Sequence, residues 1–332
     1  MHSINESDSA IVGDIERTAE RFAAAREAVG LSIFGQDAVI EQTLVTILCG
    51  GHALLVGVPG LAKTLLVQTL GTILGLDTKR IQFTPDLMPS DIVGSEVLEE
   101  TDSGRRSFRF VRGPVFAQLL MADEINRASP RTQSALLQAM QERHVTVAGE
   151  RHDLPEPFHV LATQNPIEQE GTYPLPEAQL DRFLLQIDVS YPDSDAERQM
   201  LVATTGADTV EVPRVLAAGE LMQAQRLIRK MPVGESVLDA ILAVVRRGRP
   251  GDDADQAITE QVAWGPGPRA SQALMLAVRA RALLDGRLAP SVDDVVALAR
   301  PVLQHRMALT FAARVDGVTI DDVVARLTEP IA

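Results

Sequence analysis

The most informative segment of the sequence is a glycine-containing loop followed by lysine and threonine. Residues 57–64 read GVPGLAKT, after the apolar run at 53–56 and before a helical pattern at 65–74. A loop between a strand and a helix can turn its backbone N–H groups around phosphates, and the positive end of the helix adds to the attraction. Lys63 is placed to reach the β- and γ-phosphates of a nucleotide, and the Thr64 hydroxyl is placed to hold Mg2+. The sequence therefore predicts a P-loop that binds ATP and Mg2+.

The loop departs from the strict P-loop motif at Ala62, where glycine is usual. We expect the methyl group to be tolerated if the backbone at Ala62 is already near-helical. The alternative is a glycine-rich turn that only precedes a helix, but a Lys-Thr pair at the helix start favours the phosphate site. The predicted phosphate-binding residues are Gly57, Val58, Pro59, Gly60, Leu61, Ala62, Lys63, Thr64 and Leu65.

Two carboxylates follow another apolar run. Residues 119–122 continue into Asp123 and Glu124, so a buried strand would carry both acids to the carboxyl edge of a sheet, where α/β proteins bind ligands. Asp123 is predicted to hold Mg2+ through its water shell, and Glu124 to polarise the attacking water. Many strands simply enter a solvated loop through such acids, but the upstream P-loop makes the pattern specific.

A polar amide ends a third apolar run. Asn165 follows residues 160–162 and is predicted to orient the lytic water or to contact the γ-phosphate. The alternative is that Asn165 caps the turn at Pro166.

Three arginines are candidates for contact with the γ-phosphate. Arg182 lies between Asp181 and Phe183, just before the last strand, and could act as an arginine finger in a neighbouring subunit unless it only pairs with Asp181. Arg127 is a second candidate for contact across subunits. Arg269 opens a helix of the second domain and is predicted to reach the γ-phosphate across the cleft between domains, unless it is an ordinary exposed arginine.

The elements that would position these residues alternate between strands and helices. Apolar runs predict strands at 53–56, 80–83, 119–122, 158–162 and 184–189, with helices between several of them, which indicates a parallel sheet with right-handed crossovers. Only helical patterns follow from about residue 195. We therefore expect an N-terminal helical segment at 1–32, with a helix at 15–29 after a frayed start, an α/β core at 33–192 and an all-helical domain at 193–332.

Two β-hairpins are predicted to interrupt the core. The first spans 95–112 and turns at 101–104, and its second arm carries Arg105, Arg106, Arg109 and Arg112. The second spans 144–154 and turns at 148–150. Each could also be mere decoration of a loop.

Composition limits the classes of function. The 332 residues contain 45 acidic and 31 basic side chains, a net charge of -14, which counts against a nucleic-acid binder. The single cysteine, Cys49, is expected to be buried and favours a reducing compartment. No metal-ligand spacing appears among the histidines. The polar start lacks a signal peptide and no apolar stretch is long enough for a membrane span, so we expect a cytoplasmic protein.

With these motifs, the chain resembles the MoxR family of AAA+ ATPases from about residue 33 to its end. The matching segments are residues 57–64 with alanine before the lysine, 120–128, 162–166, 179–184 and 268–270. The resemblance implies a P-loop AAA+ core and a helical lid domain, with Arg182 as the arginine finger and Arg269 at the sensor-2 position. It also implies that Phe34, Gly35 and Gln36 lie against the adenine, and that the two hairpins project towards the axis of a ring.

The activity implied by the resemblance is an ATP-hydrolysing, hexameric, chaperone-like remodeller that matures or activates protein complexes. Its partner would be a protein client, reached in some cases through a separate protein with a von Willebrand factor A domain. The motor subunit of a metal-chelatase-type complex is a related alternative. A nucleic-acid translocase is a third reading, which the acidic charge disfavours, and a scaffold that binds ATP with little turnover is disfavoured by Glu124 and Asn165. The client and the number of subunits stay open at this point.

Overall fold

The computed structural model describes residues 6–100, 106–168, 170–206, 211–251 and 254–331. Within them, five parallel strands form a sheet in the order β2-β5-β8-β1-β9. The strands in these ranges are β1 (Ala53–Val56), β2 (Thr78–Gln82), β3 (Gly94–Glu100), β4 (Arg106–Arg112), β5 (Leu119–Asp123), β6 (His144–Val147), β7 (Glu150–Asp153), β8 (His159–Gln164), β9 (Leu185–Asp188), β10 (Val262–Trp264) and β11 (Ala308–Leu309). The predicted parallel sheet is confirmed.

Side chains of the sheet alternate between two apolar layers, as the two-residue period of a strand requires. Leu55 of β1 and Met121 of β5 point into the layer that contains the helices on one side, whereas Leu54 and Leu120 point into the layer on the other side. Because every strand runs in the same direction, the chain segments that follow β1, β5, β8 and β9 leave the sheet at one edge. This edge collects the P-loop, the two carboxylates and Asn165.

Helices cover both faces of the sheet. The helices of the described ranges are α1 (Glu6–Gly30), α2 (Asp37–Leu48), α3 (Lys63–Ile73), α4 (Pro89–Val93), α5 (Pro130–Glu142), α6 (Glu177–Leu180), α7 (Ser194–Thr205), α8 (Ala218–Ile228), α9 (Glu235–Arg247), α10 (Gln256–Gln261), α11 (Pro268–Leu284), α12 (Val292–Leu303), α13 (Phe311–Val315) and α14 (Ile320–Thr328). None of the helices in the described ranges is long and apolar enough to cross a membrane. Cys49, which follows α2, is buried as predicted.

The first helix is longer than the sequence indicated. Helix α1 begins at Glu6, and the expectation of a frayed start up to residue 12 is wrong over the described part of that segment. Its first turn is polar and has no apolar period to reveal it. Phe22 and Ile15 of α1 are buried in the layer that also contains α3 and the C-terminal helices.

Both predicted hairpins are present. Strands β3 and β4 pair antiparallel from Gly94↔Arg112 outward, and β6 and β7 pair from His144↔Asp153. The turn at 101–104 and Arg105 lie outside the described residues. The Phe110 ring stacks on His152 with the ring centroids 4.0 Å apart, so the base of the first hairpin packs against the second.

The C-terminal region is helical, as predicted, with one addition. Strands β10 and β11 form a small antiparallel pair, Val262↔Leu309 and Trp264↔Ala308. Strands of three and two residues are too short to leave a periodic signal in the sequence. The helices of this region share one buried apolar layer with the sheet, from Leu55 of β1 to Leu274 of α11, so this region packs directly on the core.

Candidate functional site

The P-loop connects β1 to α3 at the carboxyl edge of the sheet. A side chain at Gly57 would lie 2.5 Å from the carbonyl oxygen of Val189, so only glycine allows the loop to pass β9 this closely. The Lys63 ammonium donates to the carbonyl oxygens of Gly57 at 2.6 Å and Val58 at 2.7 Å. Its side chain therefore folds back over the space that the loop encloses, where a phosphate group would compete for the same donors.

Ala62 does not meet the condition under which its methyl group was expected to be tolerated. Its φ of 55° and ψ of 17° lie in the left-handed region, not in the right-handed helical region. The left-handed conformation costs an L-residue about 1–2 kcal/mol. It turns the chain directly into α3, whose first backbone N–H groups point at the enclosed space and have no partner within the helix.

The acidic pair is held in place from the neighbouring strand. Thr163 of β8 donates its hydroxyl proton to Asp123 Oδ1 at 2.5 Å and accepts from the backbone N–H of Glu124 at 2.9 Å. Glu124 itself has a φ of 55°, a left-handed conformation that swings its side chain away from the strand direction. The buried Thr163 hydroxyl thus holds both carboxylate residues, and the local sequence around Thr163 does not indicate this role.

Strand β2 supplies two further contacts that were not predicted. Arg80 Nη2 donates to Asp123 Oδ2 at 2.5 Å, and Gln82 Nε2 donates to Glu124 Oε2 at 2.8 Å. The two side chains share one face because they are two residues apart on a strand that pairs in parallel with β5. Polar residues at alternate positions of this edge strand were the available signal in the sequence.

Arg127 and Asn165 flank Glu124. Arg127 Nη1 donates to Glu124 Oε2 at 3.1 Å and lies 3.4 Å from Glu168 Oε1. The hydrogen bond to Glu124, followed by the charges of the two glutamates, raises the pKa of Arg127. Asn165 accepts from the backbone N–H of Ile167 at 3.1 Å, and its amide lies 3.4 Å from Glu168 Oε2. The cap described as the alternative for Asn165 is present, while the same residue also faces the cavity.

The P-loop, the acidic pair, Thr163 and Asn165 line an open cavity of about 380 Å³. It is lined by Pro59, Gly60, Leu61, Ala62, Lys63, Thr64, Leu65, Asp123, Glu124, Thr163 and Asn165. Burial lowers the pKa of the Lys63 ammonium, while Asp123 and Glu124 oppose that shift. The cavity thus combines a lysine and the N-terminus of α3 for an anion with oxygen ligands for a hard cation.

The chemistry of the donor set fits Mg2+ bound together with a nucleotide. Thr64 and Asp123 line the cavity from two sides, and hard cations prefer such hydroxyl and carboxylate oxygens together with waters and phosphates. Among the described residues, no group of three or more His, Cys, Asp or Glu is placed to hold a metal ion by protein ligands alone.

The segment predicted to lie against the adenine is next to this cavity. Gln36 Nε2 donates to the carbonyl oxygen of Ser190 at 2.8 Å, just beyond the end of β9. Gly35 has a φ of 64°, and a side chain there would lie 2.5 Å from Cβ of Ala196. Phe34 is half-buried in this segment. All three residues are therefore near the carboxyl edge of β1 and β9, where the P-loop begins.

Arg182 and Arg269 lie at the amino ends of the parallel strands, whereas the P-loop lies at their carboxyl ends. Both line a cavity of about 260 Å³ with Gly51 and His52, which precede β1, whereas the P-loop follows β1. Four strand residues span about 13 Å, so neither arginine faces the P-loop of its own chain. The expectation that Arg269 reaches the γ-phosphate across the cleft within one chain is wrong. The C-terminal helices pack on the end of the sheet from which β9 starts, as the pairing of Arg269 Nη1 with Asp181 at 3.5 Å confirms.

Comparison with known proteins agrees with this architecture. Residues 52–185 match the ATPase family associated with various cellular activities (AAA), and residues 254–327 match the AAA lid domain. The chain is 43% identical over 301 residues to Chaperone MoxR1 of Mycobacterium tuberculosis, covering 90% of this chain and 79% of that protein. It is 32% identical over 311 residues to Protein MoxR of Paracoccus denitrificans, covering 87% and 89% of the two chains. The crystal structure of a candidate ATPase from Cytophaga hutchinsonii superposes with a TM-score of 0.90 at 35% identity, covering 98% of each chain.

Proposed function

Since the chain belongs to the MoxR family of AAA+ ATPases, we propose that it hydrolyses Mg-ATP and uses the energy to remodel a protein client. The observation that carries the proposal is the convergence of Lys63, Thr64, Asp123, Glu124 and Asn165 on one cavity at the edge of the sheet. Lys63 and Asn165 are 102 positions apart in the sequence, and the start of α3, the end of β5 and the end of β8 bring the five residues together.

Each residue has a defined task in this proposal. The helix N-terminus and Lys63 bind the phosphates, and the Thr64 hydroxyl with Asp123 would hold Mg2+, which neutralises charge on the phosphate oxygens when bound. Glu124 accepts a proton from the attacking water, and Asn165 orients that water. Glu124 Oε2 is held by Gln82 and Arg127, so catalysis requires that the carboxylate exchange those donors for water.

Two substitutions test the catalytic assignment. Glu124→Gln keeps the size of the side chain but cannot accept the proton, so we expect ATP binding near the wild-type level and turnover reduced by about 10²–10⁴-fold. Lys63→Ala removes a phosphate ligand, so we expect the binding of ATP itself to weaken. Binding is measured with a fluorescent ATP analogue and turnover by phosphate release. Wild-type turnover by Glu124→Gln would refute the role of Glu124.

We further propose a ring, most simply a hexamer, in which each active site is completed by a neighbour. Arg182 and Arg269 lie at the edge of the sheet away from their own P-loop, where a second subunit could receive them. Arg182 makes no side-chain hydrogen bond or ion pair within the described ranges, and Asp181 pairs with Arg306 and Arg269 instead. Arg127 is engaged by Glu124 and Glu168 of its own chain, which favours Arg182 as the arginine finger.

Mixing two inactive variants tests the shared site. Arg182→Ala subunits retain an intact P-loop, and Lys63→Ala subunits retain both arginines. In a ring with sites between subunits, we expect mixtures to regain part of the wild-type turnover at interfaces that combine the two intact halves. Each variant measured alone at the same total concentration is the control. No gain at any mixing ratio, or full activity in monomers isolated by sedimentation with ATP, would refute the proposal.

The charge pattern of the first hairpin favours a protein client over a nucleic acid. Arg109 pairs with Glu99 at 2.7 Å, Arg106 pairs with Glu100 at 3.2 Å, and the Arg112 guanidinium lies 5.2 Å from the ring centroid of Phe116. Binding to a phosphate backbone needs several unopposed cations. Leu98 and Phe108 are opposite each other on this hairpin and are both more than half exposed. An exposed apolar pair flanked by ion pairs suits an unfolded peptide segment.

A capture experiment decides between clients. Glu124→Gln should accumulate the ATP-bound ring, and we expect it to retain a protein from a lysate, whether the client itself or a von Willebrand factor A domain partner. Shortening the turn at Ala148-Gly149-Glu150 should abolish that capture. Salt-dependent DNA binding that stimulates ATP hydrolysis, and is lost on neutralising Arg105, Arg106 and Arg109, would instead support the translocase reading. Stimulation by a chelatase partner would support the metal-chelatase reading.

A further inference from the structure

One short helical turn of the C-terminal lid domain is hydrogen-bonded to the segment that carries Arg182. This turn, Gln304–Arg306, follows α12. Gln304 Nε2 donates to the carbonyl oxygen of Gln186 at 2.8 Å, and His305 Nε2 lies 3.0 Å from the carbonyl oxygen of Phe183. Consecutive side chains of the lid therefore bond to the backbone on both sides of the point where β9 begins.

Arg306 makes the largest number of these contacts. Its side chain is almost completely buried, and all five of its N–H donors are used. The acceptors are Asp181 Oδ1 at 2.8 Å and the carbonyl oxygens of Asp181 at 3.3 Å, Phe183 at 2.6 Å, Leu184 at 3.1 Å and Val302 at 2.5 Å. A planar guanidinium with five fixed donors holds this backbone far more rigidly than a point charge could.

Asp181 connects the buried arginine to an exposed one. Its Oδ1 accepts from Arg306, while its Oδ2 lies 3.5 Å from Nη1 of Arg269. Arg182 is the next residue along the chain, and its guanidinium has no partner in the described ranges. Arg306, Asp181, Arg182 and Arg269 thus line one cavity at the edge of the sheet that is far from the P-loop.

We propose that Arg306 and Asp181 are positioning residues for hydrolysis in the neighbouring subunit. The buried pair holds Arg182 and Arg269 in one fixed arrangement, so that both cations reach the neighbour's γ-phosphate without first being ordered. The inference rests on the proposed sharing of active sites between subunits. The proposal predicts that the lid domain and the segment with Arg182 move as one unit, because the Arg306 guanidinium is hydrogen-bonded to both.

Arg306→Lys tests the role with the charge retained. Lysine has three donors and no planar fork, so it cannot make the five contacts. We expect kcat to fall at least about 10-fold, while KM for ATP and the affinity for a fluorescent ATP analogue stay within about 2-fold, because the P-loop is at the other edge. The matched control is Arg300→Lys. Arg300 also links the lid to β9, at 2.7 Å from Asp188, but within the described ranges it has no ion pair or hydrogen bond with Asp181. Its replacement should therefore leave kcat within about 2-fold.

A double-mutant cycle separates positioning from general destabilisation. If Arg306 acts through the two exposed arginines, Arg306→Lys should cause no further loss of kcat in Arg182→Ala/Arg269→Ala. Losses that multiply independently, or an unchanged kcat in Arg306→Lys, would overturn the inference. Asp181→Asn is run through the same cycle and replaces Arg306→Lys should that variant not fold. Full activity of Arg182→Ala alone would instead overturn the shared active site, and the inference with it.

Discussion

Thr163 provides the sharpest test of how the acidic pair is organised. Its buried hydroxyl donates to Asp123 at 2.5 Å and accepts from the backbone N–H of Glu124 at 2.9 Å. Thr163→Val keeps the shape of the side chain and removes both interactions. A hydrogen bond to a charged group contributes about 1.5–3 kcal/mol, and an unpaired buried N–H costs about 1–3 kcal/mol. Because Arg80 still holds Asp123, we expect the free energy of unfolding to fall by about 2–4 kcal/mol.

The same change should affect catalysis more than binding. Glu124 has a left-handed backbone that the Thr163 hydroxyl holds from β8, and a misplacement of about 1 Å in a catalytic group can cost about 10²-fold in rate. We expect kcat to fall about 10–100-fold, with ATP affinity within about 3-fold of wild type. Thr163→Ser keeps the hydroxyl and is the control, with kcat close to wild type. Chemical denaturation and phosphate release measure the two effects. Equal behaviour of the valine and serine variants would refute the reasoning.

Gln82, the backbone of Ala62 and two buried histidines can each be tested separately. Gln82→Ala removes one hydrogen-bond donor from Glu124 Oε2. Because one hydrogen bond of modest strength is lost, basal turnover of ATP should rise about 2–5-fold. A fall in turnover would show instead that Gln82 orients Glu124 for catalysis. Ala62→Gly relieves about 1–2 kcal/mol of left-handed strain and costs about 0.4–1 kcal/mol in chain entropy, so denaturant titration should show a small gain in stability, not a loss. Burial lowers the pKa of His52 to about 3 and of His159 to about 4. The unfolded chain therefore binds more protons than the folded protein between about pH 6.5 and 4, so the free energy of unfolding should decrease as the pH falls through this range, by at most about 1.4 kcal/mol per histidine and pH unit. Equal unfolding midpoints at pH 7.5 and 5.5 would contradict neutral, buried imidazoles.

The parts of the site that could be predicted all follow the ends of apolar strands. A buried parallel strand is recognisable from its composition, and its carboxyl end must lie at the same edge as those of its neighbours. The location of Lys63, Asp123 and Asn165 at one cavity therefore follows from three local patterns. The contacts made by Arg80 and Gln82 could have been derived too, from alternate polar residues on an edge strand, but only after the order of the strands was known.

The parts that could not be predicted depend on packing between distant segments. Asp181 and Arg306 are 125 positions apart, and nothing in the local sequence of either residue indicates the other. The position of Arg269 depends on where the lid domain packs. A helical pattern in the sequence indicates which face of a helix is apolar, but not which element that face packs against. The left-handed Ala62 was missed for a different reason: alanine carries no local signal for a conformation that usually requires glycine.

The arrangement of charges supports the proposal that active sites are shared between subunits. At the carboxyl ends of the strands, Lys63 and a helix N-terminus are placed to bind phosphates, and Glu124 is proposed to activate water. Arg127 is nearby, but it already forms an ion pair with Glu124. The cations that could neutralise charge developing on the γ-phosphate are Arg182 and Arg269, and both lie about the length of a strand away. In the proposed ring, a second copy of the chain would supply them. Because the same lid turn holds the backbone on both sides of Arg182, movement of the lid in one subunit would move the arginines that enter the next, which is a direct mechanical route for communication around a ring.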